Sequence, residues 1–182
     1  MKKINSALIT EATELTSVTP KIPISLNEDM VDLLNKRLRD EYYAHFLYRS
    51  ANNFCKNVGY GKAAAFFADE ANDELQHAEK LQNYLLDWNI QPSMPDLKPS
   101  IQIVSLVDAI NKAYAFEYGL FESYIKNSAE AFDADLATFD FLQEFRKIQT
   151  DSVKTFSDLL NALALIDSSD KFQILYFEQT YF

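Results

Sequence analysis

Three glutamates stand where apolar residues belong. Glu41, Glu74 and Glu117 each interrupt an apolar stripe of helical period, near the middle of its run. A buried, unpaired carboxylate costs several kcal/mol, and one in each of three helices multiplies that cost. Either these positions are not buried or a cation compensates them. His77 follows Glu74 by three residues, so both side chains point into the same space one turn apart. Glu-x-x-His on a bundle helix is half of the motif that builds carboxylate-bridged di-iron sites. Iron favours carboxylate oxygens and accepts imidazole as a neutral donor. A bridging carboxylate would hold two cations close while offsetting their charge. Glu74 is the natural bridge, since it stands between the His77 side and the Glu117 side. One glutamate on a stripe is commonly a boundary residue, and one helical histidine is commonly core or surface. Four such residues in register on three consecutive helices point instead to a metal.

The elements that must hold these residues are helices. Three glycines and five prolines in 182 residues leave little for the turns of an all-β domain. The length suits one domain. Residues 1–24, with Pro20 and Pro23 among Ser, Thr and Lys, read as an extension, leaving a domain over 25–182. Ser25-Leu26-Asn27-Glu28 has capping-box spacing and opens a first helix to about residue 56, stopped by Gly59. Its stripe is Leu34, Leu38, Glu41, His45, Tyr48, Asn52 and Cys55. A second helix over about 60–87 carries Ala64, Phe67, Ala71, Glu74, His77 or Ala78, Leu81 and Tyr84. A third begins at Ser105, with Asp108 again at capping-box spacing, and carries Leu106, Ile110, Ala113, Glu117, Leu120 and Tyr124. A fourth spans about 135–164, its stripe running from Leu136 and Phe139 through Phe145, Gln149 and Ser152 to Phe156 and Ala162. A short last helix is expected over about 170–179.

Linker lengths then select the topology. Few residues separate the first helix from the second, or the third from the fourth, so each pair should be antiparallel. Between the second and third lies a stretch holding Pro92, Pro95 and Pro99, which no single helix spans. A connection that long is uncommon in a compact domain. In a four-helix bundle it runs the bundle's length and makes its flanking helices parallel. The expected fold is all-α: a four-helix bundle with one long crossover and a short fifth helix.

With these motifs, residues from about 28 to 180 resemble a ferritin. The resemblance rests on Leu38-Arg39-Asp40-Glu41-Tyr42-Tyr43 followed by Tyr48, on Ala63-Ala64-Ala65-Phe66-Phe67, and on Asp73-Glu74-Leu75-Gln76-His77. It continues in Phe116-Glu117, Thr138-Phe139-Asp140-Phe141-Leu142-Gln143, Gln149 and Leu175-Tyr176-Phe177. It implies a ferroxidase that stores iron: Fe(II) is oxidised by dioxygen or hydrogen peroxide and kept as ferric mineral inside a cage. The implied cofactor is iron, about two ions per subunit, with no haem. Glu41, Glu74 and His77 would bind the first ion, and Glu74 and Glu117 the second, with Gln149 nearby. Tyr48 would hydrogen-bond into the site and could donate an electron. Self-assembly, about twenty-four subunits by the resemblance, is the expected partnership.

Helix four departs from many bacterial-type ferritins. Ile148-Gln149-Thr150-Asp151-Ser152 lacks carboxylates at 148 and 152, which puts a complete third site from Asp73, Asp151 or His45 in doubt. The pattern is nearer the animal heavy chain. Helix four also lacks a second Glu-x-x-His, against bacterioferritins and rubrerythrins. Two other readings stand beside the main one: a storage or interaction subunit with a weak centre, and a smaller DNA-protecting relative of the ferritins. The formal charge of −10 disfavours nucleic acid as a partner and suits cations. No apolar run reaches membrane-spanning length, no signal-peptide core follows Lys2 and Lys3, and Cys55 is the single cysteine. A cytoplasmic protein is expected.

Overall fold

A computed structural model describes residues 26–96 and 101–182. The extension over 1–24, the capping position Ser25 and Pro99 lie outside the described residues. Five helices occupy the rest: α1 (Glu28–Val58), α2 (Gly61–Asp87), α3 (Leu106–Ala134), α4 (Leu136–Leu163) and α5 (Lys171–Tyr181). No strand occurs among the described residues.

Local chemistry sets most boundaries. Asn27 caps α1, its side chain accepting from Met30 N at 2.9 Å, so Glu28 is the first helical residue and not the third residue of a capping box. Gly59 ends α1 at φ 88°, a left-handed conformation that favours glycine. Ser105 caps α3 by accepting from Asp108 N at 2.9 Å, and Asp108 accepts from Val104 N rather than from the Ser105 N–H of the full box. Asp135 alone separates α3 from α4 and caps the latter. Helix α2 has no side-chain cap of its own at Tyr60. Glu178, carried in by α5, accepts from Lys62 N at 2.7 Å and Ala63 N at 3.1 Å. A carboxylate at a helix N-terminus satisfies free N–H groups and complements the dipole.

The core falls into two apolar clusters, and their membership gives the helix directions. One cluster joins the later half of α1 (Ala44 to Cys55), the start of α2, the start of α3, the end of α4 and α5. The other joins Leu26 and the early part of α1 to the end of α2, the later half of α3 and the start of α4. Helices α2 and α3 therefore run parallel, and α1 and α4 run against them. Trp88 and Ile90 pack on the second cluster, Ile101 and Ile103 on the first, so the crossover traverses the bundle's length. The expected architecture is present, and the fifth helix extends to Tyr181. One stripe residue differs: Leu136, at the first turn of α4, is 63% exposed, and Thr138 is the residue of that turn that is buried.

Candidate metal centre

Between the two apolar clusters lies a thin polar layer. Along α1 it falls between Leu38 and Ala44, along α2 between Ala71 and Ala78, along α3 between Ala113 and Leu120, and along α4 between Phe145 and Phe156. The stripes put Glu41, Glu74, Glu117 and Gln149 at that waist, and none is more than 2% exposed. The helical repeat carries them there, since each occupies a core position of its own helix.

Ligand atoms of Glu41, Glu74 and His77 all lie within 4.8 Å of one another, the one such group of three or more among the described residues. His77 Nδ1 is 3.1 Å from Glu74 Oε2 and 3.6 Å from Glu41 Oε2. On the facing side, Tyr48 donates its hydroxyl to Glu117 Oε1. The Gln149 amide, oriented to satisfy both of its ends, donates to Glu117 Oε2 at 2.9 Å. Tyr124 donates to Glu41 Oε1. Glu41 Oε2 is buried and accepts no hydrogen bond. An orphaned carboxylate oxygen facing an imidazole nitrogen and a second carboxylate is the donor set a divalent cation takes.

Electrostatics agree with the geometry. Burial, then the Glu41 and Glu117 carboxylates, pushes Glu74 well above the ordinary carboxylate range. Burial lifts Glu117 to about 8 even though the Tyr48 hydrogen bond pulls it down. Burial raises Tyr48 well above an ordinary phenol, with Glu117 and Glu74 adding to the rise. Without metal, the layer thus holds protons where carboxylate charge would otherwise meet carboxylate charge. A cation binding there must displace them, so its binding releases protons and strengthens with pH.

All six residues expected at the site therefore meet at the waist: Glu41, Glu74, His77, Glu117, Gln149 and Tyr48. The three candidates for a further site do not. His45 is turned to the α1–α2 seam, where its Nδ1–H donates to the Ala71 carbonyl at 2.6 Å. Asp73 is exposed and accepts from Gln76, and Asp151 is exposed on α4. Two neighbours of the site were not singled out from the sequence. Tyr124 belongs to the apolar stripe of α3, and it follows Glu117 by seven residues as Tyr48 follows Glu41. Glu70 precedes Glu74 by one turn and is half-buried. Burial, then Asp73, lifts its carboxyl to about 7. Its spacing from Glu74 was the available signal.

Residues 31–166 match the ferritin-like domain family. Over 144 residues the chain is 31% identical to a bacterial non-heme ferritin of Campylobacter jejuni, covering 78% of this chain and 86% of that one. A bacterial non-heme ferritin of Escherichia coli is 29% identical over 147 residues, 79% of this chain and 88% of its own. Among solved structures, an open-pore ferritin from the hyperthermophilic archaeon Archaeoglobus fulgidus superposes with a TM-score of 0.79 at 23% identity, covering 86% of this chain and 98% of that one.

Proposed function

The chain belongs to the ferritin family, and from that premise we propose that it stores iron, oxidising Fe(II) at the waist of its own bundle before the product is deposited as ferric mineral. Iron is here the substrate. Glu41, Glu74 and His77 take the first ferrous ion; Glu74, Glu117 and Gln149 take the second. Each ion gives up one electron, and the pair reduces dioxygen or hydrogen peroxide by two electrons. Two-metal sites of this kind stabilise charge on both sides of the reacting oxidant. The chain's own contribution is to hold both ions in a water-poor layer, with Glu74 touching each, and to accept or release the protons that charge changes require.

The observation that carries this reading is the buried, unpartnered Glu41 Oε2 facing His77 Nδ1 and Glu74 Oε2. Buried oxygens elsewhere also lack a partner, Asn52 Oδ1 and Ser128 Oγ among them, but among the described residues only Glu41 Oε2 stands within ligand distance of a second carboxylate and an imidazole. The same set argues against a subunit with a weak centre, since every expected ligand reaches the waist. It also argues against a smaller DNA-protecting relative, whose iron site forms between subunits. Anaerobic titration with Fe(II), followed by oxygen, tests the proposal: about two ions should bind fast per chain and oxidise together. Failure to bind Fe(II) at this stoichiometry would refute it.

Self-assembly into a cage belongs to the same reading, with twenty-four subunits as the family's closed form and a cytoplasmic setting as expected from the sequence. It is supported by large apolar side chains left exposed on α1, α2 and the crossover: Tyr43, Phe46, Leu75, Leu86 and Met94. Apolar surface of that kind marks association faces. A monomer or dimer by light scattering at neutral pH would contradict it. Among the described residues no helix is long and apolar enough to cross a membrane.

A further inference from the structure

Glu41 and Tyr48 stand seven residues apart on α1, and Glu117 and Tyr124 stand seven apart on α3. Seven residues are about two turns, so each pair shares one helix face. Because α1 and α3 run in opposite directions, the pairs cross. Tyr48 of α1 donates to Glu117 of α3, and Tyr124 of α3 donates to Glu41 of α1. Both phenols are fully buried. Each ring is held from the side: Tyr48 by Phe67 and Phe156, Tyr124 by Phe145 at 5.1 Å. The Arg37 guanidinium also lies over the Tyr124 ring, 5.8 Å from its centroid, and is tied to Asp40 at 2.7 Å. Arg37 Nε and Nη1 have no hydrogen-bond partner, in keeping with a guanidinium whose neighbour is an aromatic ring.

The two-fold repetition is broken at one point. Without metal Glu117 has both oxygens engaged, Oε1 by Tyr48 and Oε2 by Gln149, and the Gln149 amide must turn from Oε2 before Glu117 and Gln149 can take the second ion. Glu41 has only Oε1 engaged, by Tyr124, and Oε2 is left facing His77 and Glu74. We infer that Tyr124 is a second positioning tyrosine of the centre, which occupies Glu41 Oε1 so that Glu41 presents one oxygen, Oε2, to the cation beside His77. Tyr124 acts through Glu41 and does not itself touch the ion. The inference deepens the proposed oxidation centre and rests on it. A tyrosine that served only to fill the core would leave both oxygens of Glu41 available to chelate.

The test is anaerobic titration of the full chain with Co(II), a redox-stable stand-in for Fe(II) whose visible absorption weakens as its coordination number rises. In Tyr124→Phe, Glu41 is free to use both oxygens. The equivalent bound by Glu41 and His77 should then lose absorption intensity, while the other keeps its wild-type spectrum. Tyr48→Phe should reverse the pattern. A folded Tyr124→Phe with a wild-type spectrum, or with both equivalents altered alike, overturns the inference. A wild-type chain that takes up no Co(II) overturns both this inference and the centre it rests on, which keeps the two failures distinct. A second measurement does not depend on Tyr124→Phe folding. In Tyr48→Phe, Zn(II) at the first equivalent should still perturb the ultraviolet absorption of tyrosine, through Tyr124 on Glu41, and no perturbation there counts against the assignment.

Discussion

Buried glutamates occur in two parts of this molecule, and they have opposite chemistry. Glu178 on α5 is 0% exposed, as Glu41 and Glu117 are. Its Oε1 accepts from the Lys62 and Ala63 backbone N–H groups, and its Oε2 from the Gln179 amide. Every oxygen is satisfied, and the negative charge meets the positive end of α2. At the waist, three glutamates face one another, one oxygen has no partner, and the positive end of no helix is near. Burial of a carboxylate is therefore not itself the mark of a functional site. The mark is what the fold supplies opposite it: at Glu178 a helix terminus, at the waist a place that only protons or cations can fill.

Substitutions at the two places should separate catalysis from stability. The largest effect is expected for Glu74→Ala. In the proposed centre Glu74 is shared by both ions, and losing such positioning costs about a hundredfold or more in rate. Stopped-flow oxidation should show that loss while the metal-free variant melts near the wild-type temperature, because the cost of burying the Glu74 carboxyl is removed with it and offsets the lost packing. Wild-type rate in an assembled Glu74→Ala would mean that the centre lies elsewhere.

Metal addition gives the next contrast. A ligand that binds the native state stabilises it by about 2.7 kcal/mol at a hundred times its Kd. Zn(II) should raise the melting temperature of the wild type and of Glu178→Ala by similar amounts, and that of Glu74→Ala by less. An equal gain in all three would show that Zn(II) binds outside the waist.

Glu178→Ala should act on stability alone. Loss of a helix cap costs about 1–2 kcal/mol, which for a chain of this size is a drop of roughly 2–8 °C. Oxidation per assembled chain should stay at the wild-type rate. A slowed rate with unchanged melting would reverse the distinction drawn between the two places.

The pH dependence of the metal-free chain sharpens the comparison further. Folded, Glu117 holds its proton up to about 8. Unfolded, a glutamate releases it near about 4.3. Between those values the native state binds more protons, so this group's contribution to stability is present at low pH and is lost as pH rises through the folded value. Glu117→Gln removes that loss. Its melting temperature relative to the wild type should rise between about pH 5 and pH 8, without metal. A constant difference would show that Glu117 is ionised throughout. The smallest effect belongs to His45→Gln. His45 is bonded to the Ala71 carbonyl and not to the site, so the count of fast-binding ions should not change. Loss of an ion there would restore His45 as a ligand.

Much of this architecture was legible in the order of residues. Helical period, the scarcity of glycine and the prolines of the crossover specify four long helices and a long link. A link of that length makes α2 and α3 parallel because no shorter path joins two ends of a bundle. The candidate ligands were legible for the same reason: helical repeat converts spacing into direction, so a carboxylate on an apolar stripe must reach the interior. That argument works within one helix and stops at its edge. Tyr124 on Glu41, Tyr48 on Glu117 and Glu178 on the α2 N-terminus join residues 83, 69 and 115–116 positions apart. Stripe positions alone do not say which facing helix a hydroxyl or carboxylate will meet. Nor does local spacing choose Asn27 over Ser25 as the α1 cap, which depends on where packing starts the first turn. The kinds of groups at the waist were determined by sequence periodicity. Which oxygen is satisfied and which is left without a partner was decided only by the relative rotation and height of helices that lie far apart along the chain.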